Sequence, residues 1–242
     1  MMPTPTRQEN TMRNLVLLPG FMLNEHLWDD MRADLATLGG LTFGDLGQDI
    51  GVQAMADAVL RQAPERFVLF GFSMGGFVAQ AITLKAPGRV LGLALLNTSS
   101  RPQTAQESAS TKAQIEIAER TPFKGLTSRA LASSLHPDRS TDPVLLKRLQ
   151  AMALSNGKDV FLRQLQTLRD SNAEQLRQVR CPTLIVASDQ DKLRSVEESQ
   201  EMAAQIAHAR FELVRDCGHM TPMEKPGELF GIVRDWIVAS GI

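Results

Sequence analysis

The sequence predicts an α/β fold: a mostly parallel, doubly wound sheet with a helical insertion. Three observations predict it. Short apolar runs recur along the chain, each is followed by residues at helical spacing, and most runs are continuous rather than alternating, as in strands covered on both faces. Repeated strand-then-helix order places helices on both faces of a sheet. Right-handed crossovers then bring the strand ends to one edge, where the sites of such sheets form.

The elements follow in chain order. The opening "MMPTPTRQENTMR" is polar, is expected to fray, and has no apolar run long enough for a signal-peptide core. No later run approaches the roughly 20 apolar residues of a membrane span, so the expectation is a cytoplasmic protein without a membrane partner. "NLVLLPG" (14–20) reads as the first strand and "LTFGDL" (41–46) as a weaker one. Val52, Met55, Val59 and Leu60 recur at helical spacing. Strand "RFVLFGFS" (66–73) runs directly into the helical pattern "GGFVAQAITLKAP" (75–87), and "RVLGLALLN" (89–97) is the next strand. After a long interval come "PTLIVAS" (182–188), "ARFELVRD" (209–216) and a closing helix, "ELFGIVRDWIVAS" (228–240).

The interval breaks the alternation. From about 101 to 179 only helical stretches occur, among them "TKAQIEIAER", "LTSRALASSL", "DPVLLKRLQAMAL" and "KDVFLRQLQTLRD", punctuated by Pro122, Pro137 and Pro143. The expectation is one domain over 1–242, with a core of 14–100 and 180–242 and a helical lid over about 101–179. No internal repeat or low-complexity tract is present.

A formal net charge of -1 gives no basic surface for nucleic acid, and no nucleic-acid partner is expected. The lid is less neutral: 101–180 carries 13 Lys and Arg against 8 Asp and Glu. That excess fits either solvated helix faces or steering of an anionic partner by charges such as Arg120, Arg129, Arg163 and Arg169. Cys181 and Cys217 lack disulfide or metal-ligand spacing and read as buried thiols.

Gly71, Ser73 and Gly75 form G-x-S-x-G between a strand and a helix, the context of a nucleophile elbow. A turn that tight strains the serine backbone and needs small neighbours, which Gly71, Gly75 and Gly76 supply. The N-terminus of the following helix favours negative charge at the same spot. A serine hydroxyl is a weak nucleophile near neutral pH and requires a histidine base and an orienting acid. Of the four histidines, His219 follows the last strand at the edge that carries Ser73. His26 lies at a helix start, His136 in the lid, and His208 at the opposite edge. Asp189 and Asp191 both lie beyond the penultimate strand, within reach of the site edge. Asp170 sits in a helical pattern, where a solvated charge or cap is the simpler role, and strand "VLGLALL" is followed by Asn97 rather than an acid. Chain order Ser, Asp, His fits this chemistry.

The pieces "LLPGFMLNEHLW", "GFSMGG", "PTLIVASDQD" and "CGHMTPMEKPGELF" resemble the α/β-hydrolase superfamily from about Asn14 to Ile237. Within it they look like the small serine hydrolases around the pimeloyl-acyl-carrier esterase and menaquinone-pathway enzymes. The resemblance implies Asp191 as the acid, with Asp189 as the alternative, and an oxyanion hole from the N–H groups of Phe21 and Met74. It departs in two places. Pro19-Gly20 replaces the usual His-Gly, and Ser188 stands at the usual glycine before the acid, where strain or a register shift is expected. Phe21, Met22, Leu23 and Met74 are the candidate substrate-binding residues at an apolar pocket mouth, against a plain packing role for Met22 and Leu23. The expected function is a serine hydrolase that cleaves an ester or thioester, anionic or carrier-bound, through an acyl-enzyme on Ser73 without metal or cofactor. A lyase or carbon–carbon bond hydrolase on the same triad is the alternative, and a non-catalytic binding protein the third reading.

Overall fold

The computed structural model describes residues 13–169, 171 and 173–242. Residues 1–12 of the segment expected to fray, and Asp170, lie outside the described residues. Six strands, β1 (Asn14–Leu18), β2 (Gly40–Phe43), β3 (Phe67–Phe72), β4 (Val90–Leu96), β5 (Thr183–Ser188) and β6 (Arg210–Val214), form one sheet in the order β2-β1-β3-β4-β5-β6. Every pair is parallel. The weaker strand, expected over 41–46, is β2 and ends earlier, because Asp45 turns the chain by accepting the Gly47 N–H at 2.8 Å.

Nine α-helices accompany the sheet among the described residues: α1 (Arg32–Ala36), α2 (Val52–Gln62), α3 (Met74–Lys85), α4 (Ala105–Arg120), α5 (Ser128–Ser133), α6 (Pro143–Leu165), α7 (Val196–Gln205), α8 (Thr221–Glu224) and α9 (Pro226–Ser240). Alternate residues of β1 feed two separate cores, as a period of two requires. Leu15 and Leu17 pack in the cluster that includes Leu35 of α1 and Val233 and Trp236 of α9. Val16 and Leu18 face the cluster that includes Met55 of α2, Val78 of α3 and Met202 of α7. Both faces of the sheet are therefore covered, which explains the unbroken apolar strands.

Three helices, α4 to α6, lie in the chain between β4 and β5. Thr104 and Glu107 close a capping box on α4, and Asp142 caps α6 ahead of Pro143. Gly157, at φ 78°, divides α6 into two helical pieces, matching the break between its two apolar stretches in the sequence. Among the described residues no helix is long and apolar enough to cross a membrane.

The strand ends are level. Leu18 pairs with Gly71, Phe72 with Leu96, Leu96 with Val186, and Ser188 with Val214. The loops after β1, β3, β4, β5 and β6 thus gather at one edge. The order of strands reverses between β1 and β3, and the crevice at such a reversal is where open α/β sheets bind ligands.

Candidate active site

Ser73 joins β3 to α3 at φ 51°, a strained conformation for a residue with a side chain. The strain is held from several sides. The Ser73 N–H donates to the Leu96 carbonyl at 3.0 Å, and the Ser73 carbonyl accepts the Gly76 N–H at 3.0 Å and the Thr98 hydroxyl at 2.7 Å. Close approach explains the glycines: a Cβ on Gly71 would lie 2.6 Å from that of Ala79, and one on Gly75 only 2.5 Å from the Pro19 carbonyl oxygen. Gly75 therefore lets the serine turn sit directly against the loop that leaves β1.

His219 brings Nε2 to 2.8 Å from Ser73 Oγ, and its Nδ1 to 2.7 Å from Asp191 Oδ2. The proton positions follow from chemistry. An ionised carboxylate only accepts, so Nδ1 carries the hydrogen; Nε2 then offers a lone pair, and the serine hydroxyl donates to it. The histidine and aspartate side chains are 3% and 0% exposed, so water does not compete for these bonds. Asp189 has a different partner: its Oδ1 accepts the Cys217 N–H at 3.3 Å. Geometry thus brings Asp191, and not Asp189, to the imidazole.

Four donors surround the Asp191 carboxylate. Oδ1 accepts the N–H groups of Leu193 and Arg194 at 2.8 and 3.0 Å, and Oδ2 accepts His219 and, at 3.1 Å, the Asn97 amide. Burial pushes this carboxyl up, but His219 and the N–H groups of Leu193 and Arg194 outweigh it and hold it below its ordinary value. Ser188 causes neither the strain nor the register shift expected of it. It pairs in register with Val214, and its hydroxyl belongs to a closed ring of hydrogen bonds. The Asn97 amide donates to Ser188 Oγ at 2.9 Å, Ser188 to Thr221 Oγ1 at 2.7 Å, and Thr221 to Asn97 Oδ1 at 2.7 Å. The Thr221 proton is committed to an amide oxygen that cannot donate, so the direction around the ring is fixed.

The loop after β1 is pinned from the α6 side. Gln164 Oε1 accepts the Met22 N–H at 2.8 Å, and its amide donates to the Leu46 carbonyl at 3.2 Å. Met22 is held at φ 55° and Leu23 donates to Gly20, whereas the N–H groups of Phe21 and Met74 have no acceptor among the described residues. The His219 loop is tied to the inserted helices: its N–H donates to the Ser134 carbonyl at 2.9 Å, and the fully buried Glu224 side chain pairs with Arg139 at 3.0 Å.

A model of the alpha/beta hydrolase family matches residues 15–232. The chain belongs to the alpha/beta hydrolase family. A pimeloyl-(acyl-carrier protein) methyl ester esterase of Pectobacterium carotovorum subsp. carotovorum (strain PC1) is 45% identical over 85 residues, 32% of this chain and 33% of the relative. The matched region thus spans about a third of that relative's length. Among solved structures, a thermophilic esterase from Thermogutta terrifontis superposes with a TM-score of 0.84 at 25% identity, covering 94% of this chain and 90% of its own. The enol-lactonase of Burkholderia xenovorans LB400 shares the fold, with a TM-score of 0.80 at 16% identity over 96% and 94% of the two chains.

In this α/β-hydrolase a cavity of about 240 Å³ opens on Ser73 and is lined by Phe21, Met74, Phe77, Gln164, Arg169 and Arg194, among others. Of the four candidate substrate-binding residues, Phe21 and Met74 line this cavity. Met22 and Leu23 do not: Met22 has no exposed surface, and Leu23 packs with Leu27 and Trp28 in the core. A larger hollow of about 340 Å³ adjoins Leu23 and Asn24 but contains no atom of Ser73, His219 or Asp191.

Of the lid arginines singled out by charge, Arg120 and Arg129 are exposed and Arg163 donates to the Gly47 carbonyl. Only Arg169 reaches the cavity. His26 pairs with Asp29 on the surface, and His208 precedes β6. His136, Asp138 and Asp216 converge closely enough to hold an ion, but His136 already meets Asp216 at 3.2 Å and Asp216 meets Lys225 at 2.9 Å. Cys217 is buried, with burial pushing its thiol up to about 11. Cys181, expected to be buried, is only partly covered.

Sequence reasoning missed Asn97, Thr98, Gln164, Arg194 and Thr221. Asn97 carried a signal: a polar residue ending an apolar strand at the site edge.

Proposed function

We propose that this chain is a serine hydrolase that cleaves a carboxylic ester or thioester through an acyl-enzyme on Ser73. The observation that carries the reading is the unbroken run of hydrogen bonds from Ser73 Oγ through His219 to Asp191, with Ser73 lining a cavity. In this reading His219 Nε2 takes the serine proton as Oγ attacks the carbonyl. Asp191 keeps the imidazole in the required tautomer and stabilises the imidazolium. The N–H groups of Phe21 and Met74 hold the oxyanion, which the absence of another acceptor for either group supports. His219 then returns the proton to the leaving group, and water resolves the acyl-enzyme by the same steps in reverse.

The segment 101–179 acts as a lid on a single domain whose core is 14–100 and 180–242. A cavity of about 240 Å³ lies below the range of drug-sized sites and suits a small acyl or alkyl part. The name of the Pectobacterium relative adds a carrier-bound acyl ester to the candidate substrates. A cytoplasmic location belongs to the same proposal. The lyase and carbon–carbon alternative has no observation of its own in the site.

The test is hydrolysis of p-nitrophenyl esters across acyl lengths, with Ser73→Ala purified alongside. Turnover by the wild type that disappears in the variant supports the reading, and the length optimum sizes the cavity. Equal turnover by both proteins overturns it.

A further inference from the structure

Arg169 and Arg194 are the only charged side chains lining the cavity that holds Ser73, among the described residues. They arrive from different parts of the chain, Arg169 just past α6 and Arg194 in the loop of Asp191. Both lie over the Phe77 ring, with guanidinium carbons 5.5 and 5.9 Å from its centroid. Their side chains are 16% and 18% exposed.

Two guanidiniums out of water require counter-charge. Among the described residues Glu107 is the one carboxylate in ion-pair range. It lies 2.8 Å from Arg169 but only at the 4.0 Å limit from Arg194. The other acids nearby are committed: Asp191 to His219, and Glu198 to the Ser195 N–H at 2.8 Å. Arg194 donates to the carbonyl of its own neighbour Leu193 at 2.9 Å, and its buried Nε has no partner among the described residues. Among the described residues, Arg194 thus has no carboxylate closer than the 4.0 Å to Glu107. Burial, and then repulsion from Arg169, push the Arg194 guanidinium below its ordinary value, as expected of a cation short of counter-charge.

We propose that Arg169 and Arg194 form a carboxylate subsite, so that the ester cleaved at Ser73 also carries a free carboxylate on the part that fills the cavity. The proposal rests on the hydrolase reading above and names its substrate class. A guanidinium presents parallel donors that match a carboxylate in a way an ammonium does not. Burial also decides between two anionic partners. An acidic carrier protein would meet exposed charges such as Arg120 and Arg129, whereas an enclosed pair selects a small anionic group.

The experiment compares monomethyl half-esters, from malonate to adipate, with their neutral ω-carboxamide isosteres, measuring kcat/KM for each at low salt. Charged hydrogen bonds of this kind predict at least about a tenfold preference for the half-ester at the best length. The ratio of half-ester to carboxamide should fall towards one in Arg194→Gln and Arg169→Gln, and Arg194→Lys should recover it only in part. Circular dichroism checks the fold of each variant. The wild-type ratio decides without any variant: carboxamides turned over as well as half-esters at every length would overturn the subsite and leave the hydrolase reading intact. A preference that survives in both glutamine variants would also overturn it. Failure of the hydrolase reading looks different, since neither ester class would then be cleaved in a manner dependent on Ser73.

Discussion

Replacing Gly75 with alanine adds one methyl group where two backbone oxygens already stand. An ideal Cβ there lies 2.5 Å from the Pro19 oxygen and 2.8 Å from the Leu18 oxygen, whereas ordinary contact begins near 3.4 Å. Neither atom can rotate away, because both belong to the main chain that leads into Phe21. The serine turn and the loop after β1 must therefore separate by most of an ångström, which moves Ser73 relative to the Phe21 N–H. A misplacement of that size costs about 10²-fold in rate, and overpacking a closed site costs about 1–3 kcal/mol of stability. Gly231 is the control. It lies within α9 with nothing within 4 Å of its Cβ position, so Gly231→Ala should stabilise by about 0.8–1 kcal/mol and leave kcat unchanged. The assay is kcat on a short p-nitrophenyl ester beside a urea unfolding curve for each protein. A Gly75→Ala protein with wild-type kcat and midpoint would refute the argument from close approach.

Three further outcomes are expected. Asp191→Asn removes the acceptor that fixes the His219 tautomer and should lower kcat by about 10⁴-fold, with circular dichroism unchanged. Ser188→Ala opens the ring with Asn97 and Thr221, leaving a buried amide N–H without one acceptor; urea unfolding should show a loss of about 1–3 kcal/mol. Burial raises the Glu107 carboxyl, but the Thr104 N–H and hydroxyl and the Arg169 guanidinium outweigh it and lower it from 4.5 to about 2. Its folded value is depressed, so its contribution is present above the unfolded value and fades as pH falls towards about 2. Wild type should thus exceed Glu107→Gln in urea midpoint at about pH 6, and the gap should narrow below about pH 4.5 and close only as pH falls through about 2. The Glu107 side chain is 40% exposed, which keeps the difference under about 1 kcal/mol.

The sheet was legible because buried parallel strands have a signature that needs no partner: apolar runs, four of the five unbroken, with helical spacing between them. Ser73 was legible for a related reason, since strand, glycine, serine, glycine and helix are contiguous. Helix α7 went unread, although "SVEE" spells the Ser195 and Glu198 capping box, because few apolar residues follow it and only Ser199 and Met202 are buried. The Asn97, Ser188 and Thr221 ring has no local signature: its members stand 33 to 124 residues apart and meet only once three strand ends are level. The same holds for Arg194 and Arg169, whose meeting depends on how the inserted helices return to the sheet. Between the packing and substrate-binding roles open to Met22 the sequence offers no choice, because neither its left-handed backbone nor its complete burial has a local signature.

The most direct test of the central claim is covalent capture. Wild-type protein is reacted with a fluorophosphonate, the adduct is located by peptide mass spectrometry, and the labelling rate is compared with that of His219→Ala. One adduct, on Ser73, forming at least about 10²-fold more slowly without His219, is the predicted result. An adduct elsewhere, or a Ser73 labelling rate indifferent to His219, would contradict a serine activated by that histidine.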